Sequence, residues 1–580
     1  MCLLVLENIG NLDVSINSIY NKEGVQIFDV TIKSDEAIVP KPVTIQWKIP
    51  AHNVKGVWKP TTDFEKRIQA DWELEHLESR ISIDAPIISL FGNDDTNVHT
   101  FACSNAINKL ELNARIREED DCFYCHITFL SERLSPLNEF KAQIRIDSAP
   151  KHFSTALNEV AAWWETFDNL KPAFVPQIAK TPLYSTWYNF HQNLEVEKLL
   201  AECRIAYSLG YKVIIIDDGW QTNDTNRGYD YTGDWTPDRI SKTKEFVDAV
   251  HEIGMKVGFW YSVPFCGVKS RAYKVFENKL LTKTHRWAPV FDPRFPEVRE
   301  YLINIYKNAL QEWGLDGFKL DFIDDFRLYD ETVLTDADGR DYSSINEAVD
   351  RLLSDVMSEL KAINPDVFIE FRQRYTGPAM RKFGNMMRAF DCPGDGTMNR
   401  IRIADIRMLC GETAVHADML TWHKDEKVEV AALQVVNTLF GVPQLSVMLQ
   451  EVPQDHIDMI QFYTKYWNDN ANVLMEGKFV PSKPLANYPI QQVTKGDHQI
   501  IGLYDEYVVS LATTKKYFDI INGQLATQVV LDVAADFGTY NCIVYDCKGT
   551  IFASNEITLN QGLYKIEVPA CGLIQLTLKN

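Results

Sequence analysis

The chain of 580 residues has the composition of an ordinary soluble globular protein, with 46% hydrophobic and 24% charged residues. Its length indicates two to four domains. Its formal net charge of −21 argues against nucleic acid and anionic membrane surfaces as partners. No stretch reaches the roughly 18 to 20 apolar residues that a membrane span requires.

Short segments of alternating apolar and polar residues fill residues 1–175. Examples are "GVQIFDVTIKS", "VTIQWKI" and "CFYCHITFL", with turn residues between such segments. A period of two is typical of antiparallel strands with one buried face, so we predict an N-terminal β-sandwich. The helical pattern "FSTALNEVAAWWETF" then leads into the next domain.

Residues 176–475 alternate short apolar runs with longer amphipathic segments. The run "YKVIIIDDGW" precedes "TKEFVDAVHEIG", and "PEVREYLINIYKNALQEWG" precedes "LDGFKLDF". Strands that are apolar on both faces and alternate with helices indicate a parallel sheet covered by helices. About 300 residues of this pattern favour a closed (β/α)₈ barrel over an open sheet. Residues 476–580 return to a period of two, which predicts a C-terminal antiparallel β-domain.

The first residues of the chain and its cysteines indicate the cellular location of the protein and whether it has a zinc site. The opening "MCLLVLENIGNLDV" has neither the basic segment nor the cleavage site of a signal peptide. We therefore expect a cytoplasmic protein; a trimmed signal would make it periplasmic or secreted. Eleven cysteines show no disulfide framework, and the one C-x-x-C, Cys122 and Cys125, lacks a second ligand pair. Free thiols in a reducing compartment are expected.

Several predicted barrel strands end in charged or aromatic side chains. Because the carboxyl ends of barrel strands form one rim, and active sites lie there, we expect these side chains at one site. They are Asp217, Asp218, Trp260, Asp321, Glu370 and Arg372. The neighbouring Asp324 and Asp325 are interpreted instead as loop or helix-cap residues, favourable near a helix dipole.

Paired carboxylates without a His/Cys ligand set indicate glycoside hydrolysis, with one as nucleophile and the other as proton donor. The competing interpretation is a Mg²⁺ site of Asp and Glu ligands. Lys319 argues against it, because it lies two residues before Asp321 and so on the same face of the strand. A nearby ammonium keeps a carboxylate ionised, which suits a nucleophile. We therefore predict no metal and no organic cofactor.

Two segments resemble glycoside hydrolase family 36, the α-galactosidases and their relatives. "IIIDDGWQTNDTNRGYDYTGDWTPD" looks like the family's D-D-G-W…G-D-W signature. "FDPRFPEVREYLINIYKNALQEWGLDGFKLDF" looks like its run from D-x-x-x-P-E-V to K-x-D. The resemblance covers about residues 180–400 and implies the family's layout of sandwich, barrel and C-terminal β-domain.

The resemblance implies a role for each matching residue. Asp321 is the expected nucleophile, Asp217 and Asp218 bind sugar hydroxyls, and Lys319 binds the same sugar and tunes Asp321. Trp187, Trp260 and Arg286 match further pocket residues. The family's C-x-S-G-G-G-R segment is absent, and "IEFRQRYTGP" stands there. Arg372 or Arg374 is expected to take over some of its sugar contacts.

The acid/base is expected at Asp391 in "RAFDCPGDGTMNR", the nearest counterpart of the family's later aspartate segment. Asp395 is the runner-up, with a plain turn residue as the alternative, and Glu370 is the next carboxylate to consider. The preceding Ala-Phe pair is expected to bury Asp391 partly and raise its pKa. Asp395 lies between two glycines, where solvent should keep it ordinary.

These residues predict a retaining, exo-acting α-galactosidase or close α-glycoside hydrolase that acts on small oligosaccharides or galactosides. Two alternatives stay open. One is a transglycosidase of the raffinose- or stachyose-synthase type; the other is a non-catalytic carbohydrate-binding protein with a degenerate site. Assembly into a homo-oligomer is compatible with the sequence.

Overall fold

Two antiparallel sheets pack face to face in the N-terminal part of the computed structural model, which describes residues 4–5, 12–61, 63–73, 75–226 and 228–579. Alternation in "VTIQWKIP" buries Val43, Ile45 and Trp47 in the core that the two sheets share. The strands are β1 (Leu4–Val5), β2 (Asp13–Lys22), β3 (Val25–Ile38), β4 (Val43–Pro50), β5 (Gly56–Trp58), β6 (Leu77–Ser79), β7 (Ile87–Phe91), β8 (Asn97–Cys103), β9 (Leu110–Arg117), β10 (Cys122–Phe129) and β11 (Leu137–Asp147). The predicted bridging helix follows as α1 (Phe153–Trp164).

Eight parallel strands form the central barrel. Two isolated parallel bridges, His416 with Val442 and Leu420 with Leu445, join the ends of this sheet into a ring. In chain order the strands of this region are β12 (Leu183–Ser185), β13 (Val213–Ile216), β14 (Lys256–Ser262), β15 (Leu280–Thr282), β16 (Val290–Phe291), β17 (Gly317–Asp321), β18 (Phe368–Arg372), β19 (Met386–Arg388), β20 (Ala414–His416) and β21 (Gln444–Leu445). Strands β15 and β16 form a separate hairpin outside the ring.

Helices cover the outside of this ring, as an alternating βα sequence requires. Leu199 and Cys203 on one helix and Val298 and Leu302 on another are fully buried, because these faces pack against the sheet. The helices are α2 (Trp187–Phe190), α3 (Val196–Ser208), α4 (Thr243–Ile253), α5 (Arg271–Phe276), α6 (Pro296–Asn308), α7 (Ile345–Ile363), α8 (Gly396–Arg407), α9 (Val428–Val436) and α10 (Gln454–Glu476).

The register of the parallel strands brings the charged residues to one level of the barrel. Trp260 on β14 pairs with Lys319 on β17, and Lys319 pairs with Glu370 on β18. Asp321 lies one step nearer the carboxyl end, beside Ser262. Side chains alternate across a strand, so Lys319 and Asp321 point to the same side.

The C-terminal domain consists of a seven-stranded and a three-stranded sheet. The prediction of an antiparallel domain needs one correction, because β24 pairs with β26 and β25 pairs with β27 in parallel. A chain that crosses between two stacked sheets returns in the same direction in each, which a period of two does not reveal. The strands are β22 (Lys478–Ser482), β23 (Ile490–Lys495), β24 (His498–Leu503), β25 (Val508–Leu511), β26 (Tyr517–Asn522), β27 (Gln528–Val533), β28 (Gly538–Tyr545), β29 (Ile551–Leu559), β30 (Gly562–Glu567) and β31 (Leu573–Leu578).

The three regions are joined by a common apolar cluster that extends from Trp58 through the barrel to Tyr504. A buried carboxylate stands at this junction: Asp405 on α8 accepts hydrogen bonds from Trp58 Nε1 (2.9 Å) and Tyr488 OH (2.7 Å). The three-part architecture agrees with the predicted fold class, while the domain limits at 175 and 475 stay a prediction. In the part of the chain that the structure describes, no helix is both long and apolar enough to cross a bilayer.

Candidate active site

A cavity of about 280 Å³ opens at the carboxyl ends of the barrel strands. Its walls contain all nine residues to which the sequence assigns a catalytic or substrate-binding role. These are Trp187, Asp217, Asp218, Trp260, Arg286, Lys319, Asp321, Arg372 and Asp391. The parallel strands bring them together from positions up to 204 residues apart, because each strand delivers its last residues to the same rim.

Asp321 lies at the base of this cavity, with 6% of its surface exposed. Its Oδ1 accepts hydrogen bonds from Phe322 N (2.7 Å), Arg372 Nε (2.8 Å) and Tyr375 OH (2.6 Å). Its Oδ2 accepts one from Trp260 Nε1 (2.9 Å). The two oxygens therefore differ, and Oδ2 is the less engaged of the two.

The Asp321 carboxylate stays charged despite its burial. Desolvation would raise its pKa, but Arg372 and Lys319, together with the hydrogen bonds from Tyr375 and Trp260, hold the pKa well below its usual range. The expected neighbour Lys319 is therefore the lesser charge, because its ammonium bonds Asp217 Oδ2 at 2.7 Å instead. The main counter-ion is Arg372, from the segment in which this chain departs from the family pattern.

Asp217 and Asp218 directly follow β13, two strands from β17 in the barrel, where Gly219 turns the chain. Gly219 has φ +116°, and a Cβ there would lie 2.7 Å from Gln192 Cα, so the turn requires glycine. Burial raises the pKa of Asp218 to about 6, against the hydrogen bonds from Gln221 and Gln192 that lower it. Burial disfavours a charged Lys319 as well, but Asp217 outweighs this and raises the Lys319 pKa.

Asp391 lies at the mouth of the cavity with its side chain 43% exposed. Its Oδ1 accepts a hydrogen bond from Arg388 Nη2 at 2.8 Å. Partial removal from water favours the neutral acid, but Arg388, Lys319 and Arg372 outweigh it and lower the Asp391 pKa. The prediction of a raised pKa was wrong, because the local sequence does not show that the guanidinium of Arg388, three residues earlier, contacts the Asp391 carboxyl group.

The runners-up lie elsewhere. Asp395 caps α8, where its Oδ1 accepts from Met398 N at 2.9 Å, as expected for an N-cap. Glu370 is buried below the cavity and accepts from Gln444 Nε2. Arg374 turns away to Asp84 of the N-terminal domain, with Nη2 2.7 Å from its carboxylate. None of the three belongs to the described cavity wall.

Six further residues line the cavity, and three of them directly flank a predicted residue in the chain. Phe322 follows Asp321, Phe390 precedes Asp391, and Trp287 follows Arg286, so adjacency was the available signal. The set is Tyr229, Trp287, Phe322, Asp324, Asp325 and Phe390. Asp324 and Asp325, which were interpreted as loop or helix-cap residues, lie in a single 3₁₀ turn, Ile323–Asp325, and from this turn both also contribute to the cavity wall.

Metal ligands are not gathered in this cavity or elsewhere in the described residues, where no group of three or more His, Cys, Asp or Glu side chains has the geometry of a metal site. Cys122 and Cys125 lie on opposite faces of β10, because they are an odd number of positions apart on a strand. The ten cysteines that the structure describes carry free thiols.

No protein-family model matches the chain. Three curated proteins match part of it: an A type blood alpha-D-galactosamine galactosaminidase of Flavonifractor plautii (24% identical over 173 residues), Alpha-galactosidase 2 of Pediococcus pentosaceus (25% over 167) and Alpha-galactosidase Mel36A of Lactobacillus acidophilus (28% over 120). The matches cover 26%, 27% and 19% of this chain and 15%, 23% and 15% of those proteins.

Solved structures match nearly the whole chain. The GH36 alpha-galactosidase AgaA from Geobacillus stearothermophilus matches with TM-score 0.67 and 14% identity, over 98% of this chain and 81% of that one. The alpha-galactosidase from Lactobacillus brevis matches with TM-score 0.65 and 15% identity, over 100% and 85%. The resemblance predicted from the two signature segments is thus confirmed at the level of the fold, which is that of the family 36 α-galactosidases.

Proposed function

We propose that this chain is a retaining, exo-acting α-galactosidase that releases terminal α-linked galactose from small oligosaccharides. The observation that carries the proposal is the state of Asp321. It is a buried carboxylate at the base of a strand-end cavity, and the charges and donors around it hold its pKa low. A carboxylate that stays ionised at every working pH is what a nucleophile requires.

Attack on the sugar belongs to Asp321 Oδ2, since Oδ1 already accepts three hydrogen bonds. In the first step a bond forms from Oδ2 to the anomeric carbon, and the bond from that carbon to the leaving oxygen breaks. Asp391 gives its proton to the leaving oxygen. The result is a glycosyl ester of Asp321 with inverted, β configuration.

Water completes the cycle. Asp391, now a carboxylate, takes a proton from a water molecule as that water attacks the anomeric carbon. The ester bond to Asp321 breaks, and the second inversion restores the α configuration. Asp391 thus returns to its acid form and Asp321 to its anion.

The acid form of Asp391 is scarce in the empty cavity, because Arg388 lowers its pKa. A bound sugar displaces water from the cavity, and desolvation shifts a carboxylic acid toward its neutral form. We therefore expect activity to fall as pH rises from the acidic into the neutral range.

The size and walls of the cavity support action on a single terminal sugar. At about 280 Å³ it lies at the small end of ligand pockets, which span about 300 to 1,000 Å³. Asp217 and Asp218 present adjacent carboxylates to the hydroxyls of one ring. Solved structures of AgaA variants hold stachyose where one aspartate is replaced and raffinose where a second aspartate is replaced. Those two aspartates are separated by as many residues as Asp321 and Asp391.

The departure "IEFRQRYTGP" favours an enzyme over the binding-protein alternative, because two of its residues, Arg372 and Tyr375, donate hydrogen bonds to Asp321. A degenerate site would have no reason to keep a buried anion so fully solvated by protein groups. The transglycosidase alternative uses the same first step and differs only in the acceptor.

The test is a screen of purified protein against 4-nitrophenyl α-galactoside, α-glucoside, α-N-acetylgalactosaminide, α-galactosaminide and β-L-arabinopyranoside. We expect turnover of the α-galactoside, with α-galactose as the first product seen by proton NMR. Appearance of β-galactose first would contradict the retaining mechanism. Transfer to added sucrose in place of hydrolysis would identify the transglycosidase, and binding without turnover of any substrate would identify the binding protein.

A further inference from the structure

Asp418 is a buried carboxylate that stands two residues beyond β20, behind the wall that carries Asp391. None of its surface is exposed. Its Oδ1 accepts a hydrogen bond from Arg388 Nη1. Its Oδ2 accepts hydrogen bonds from Cys392 N (2.6 Å) and Tyr188 OH (2.9 Å).

Two of these contacts are to residues on either side of Asp391 in the sequence. Arg388 precedes Asp391 by three residues and donates to its Oδ1 through Nη2 at 2.8 Å. Cys392 follows Asp391 directly. One carboxylate therefore holds both sides of the loop that carries the proposed proton donor.

The position of Asp418 is itself fixed by α8. Its backbone N donates to Asn399 Oδ1 at 2.9 Å, and Asn399 Nδ2 donates to its backbone oxygen at 2.9 Å. The reciprocal pair leaves the Asp418 side chain little freedom, so whatever it holds is held rigidly.

Arg388 serves several carboxylates at once. It is fully buried, and besides Asp391 and Asp418 its Nε lies 3.5 Å from Glu370 Oε1. The anions that share this cation repel one another, so each of them is stabilised less than it would be beside Arg388 alone. The charge on Asp418 thus limits how strongly Arg388 favours the ionised form of Asp391.

Burial raises the pKa of Glu370, and three further titratable groups around this network keep one state across the working range. Burial raises the pKa of the Tyr188 hydroxyl and of the Cys392 thiol well above their usual ranges. Burial lowers the pKa of His416, the register partner of Arg388, to about 4. Lys319 and Arg372 act on Asp391 from the nucleophile side.

We propose that Asp418 is a positioning residue for the proton donor Asp391. Asp418 fixes the Asp391 carboxyl group through Arg388 and the Cys392 amide, and its charge reduces the stabilisation of the Asp391 anion by Arg388. The proposal rests on the proposed function. It assigns Asp418 no contact with the substrate.

The sign of its effect follows from the charges. Burial raises the pKa of Asp418 to about 6, so its negative charge is present above that pH. In Asp418→Asn this charge, which faces Arg388 and lies near Asp391, is gone. Its loss favours the Asp391 anion. The acid form is then lost at lower pH, so the basic limb of kcat/KM moves toward acid.

The experiment compares pH profiles of kcat/KM for the full-length wild type and Asp418→Asn on raffinose and on 4-nitrophenyl α-galactoside. We expect the basic limb to move by about one pH unit toward acid. At neutral pH we expect roughly tenfold loss on raffinose, whose leaving group needs a proton, and a smaller loss on the 4-nitrophenyl substrate.

Asp405→Asn is the matched control. Asp405 is also a buried carboxylate, 1% exposed, and burial also raises its pKa to about 6, as it does for Asp418. It contacts Trp58 and Tyr488 and lies outside the Arg388 network. Its replacement should leave the basic limb of kcat/KM at the wild-type pH.

Tyr188→Phe keeps the test open if Asp418→Asn does not fold. Loss of one donor to Oδ2 makes Asp418 easier to protonate, so the limb should move in the same direction by a smaller amount. An unmoved limb in a folded Asp418→Asn or Tyr188→Phe, or an equal loss on both substrates, overturns the inference. A wild type with no turnover of any galactoside rejects the proposed function and the inference together.

Discussion

The two carboxyl groups assigned to catalysis are held in opposite ways. Asp321 is 6% exposed and has protein donors on both oxygens. Asp391 has 43% of its side chain exposed and forms an ion pair with Arg388, which also contacts Asp418 and Glu370. We call the buried, hydrogen-bonded part of the cavity around Asp321 the closed half and the solvent-exposed part around Asp391 the open half.

This contrast fits the role that is proposed for each carboxyl group. A nucleophile needs one charge state throughout, and burial among fixed donors provides it because the donors stabilise the anion without reorganising. A proton donor must change state twice in each cycle, so its pKa has to lie within reach of the working pH. A shared, partly exposed counter-ion allows that change.

The largest effect is expected at the closed half. Asp321→Ala should lower kcat by roughly 10⁴-fold or more, because the covalent step is lost. Azide should restore part of the rate and yield the β-galactosyl azide, identified by NMR. Near-normal activity in a folded Asp321→Ala would remove this residue from the mechanism.

The next largest effect is expected at the open half. Asp391→Ala should lower kcat/KM on raffinose by about 10²- to 10⁴-fold, the usual contribution of acid–base catalysis. The loss of kcat/KM on 4-nitrophenyl α-galactoside should be much smaller, and the basic limb of the pH profile should vanish.

Asp395→Ala is the control for this prediction. It removes the N-cap of α8 and should cost about 1 kcal/mol of unfolding free energy with activity retained. If Asp395→Ala shows the dependence on leaving group and Asp391→Ala does not, the two assignments must be exchanged.

Asp218 provides an intermediate effect that separates binding from stability. Asp218→Asn should lower kcat/KM by roughly 10- to 100-fold, since a hydrogen bond from a hydroxyl to a charged group is lost. Gln192 Oε1 is buried and has no hydrogen-bond partner among the described residues. If the Gln192 amide flips, this oxygen can accept a hydrogen bond from the amide that the substitution introduces, so the fold should tolerate the change.

The stability difference should depend on pH with a definite sign. Because the folded pKa of Asp218 is raised to about 6, the wild type loses stability relative to Asp218→Asn as pH rises from about 4 to about 6. Over this range the difference in unfolding free energy should change by about 3 kcal/mol in total, and above about pH 6 it should stay constant. Urea unfolding of both proteins at pH 4 and pH 7.5 measures it, and a difference that is the same at both values would contradict the assignment.

The smallest effect is expected for a single donor of the closed half. Tyr375→Phe removes one hydrogen bond to Asp321 Oδ1 and leaves those of Arg372, Trp260 and the Phe322 amide. We expect roughly a tenfold fall in kcat with little change in KM, because the remaining donors keep the carboxylate ionised. A loss as large as that of Asp321→Ala would mean that the closed half depends on Tyr375 alone.

The sequence, together with the family resemblance, was sufficient to predict the barrel and nine residues that line one cavity, while the roles of these residues stay a prediction. Strand-end carboxylates such as Asp217 and Asp321 are visible in one dimension, because a parallel barrel delivers every strand end to one rim. Residues adjacent to these, such as Phe322 and Phe390, could have been added by the same argument. Tyr229 and Asp418 could not, because nothing in their own segments distinguishes them from ordinary loop residues.

What the tertiary structure decided is which charges meet. The sequence pairs Lys319 with Asp321 because they are two residues apart. In the structure Lys319 instead donates a hydrogen bond to Asp217, two strands away in the barrel, and Arg372 donates one to Asp321. The sequence likewise predicts a raised pKa for Asp391, whereas in the structure Arg388 lowers it. Periodicity reports which face of a strand a side chain occupies. Electrostatic energies depend on distances between strands and on burial, and both exist only once the ring of strands has closed.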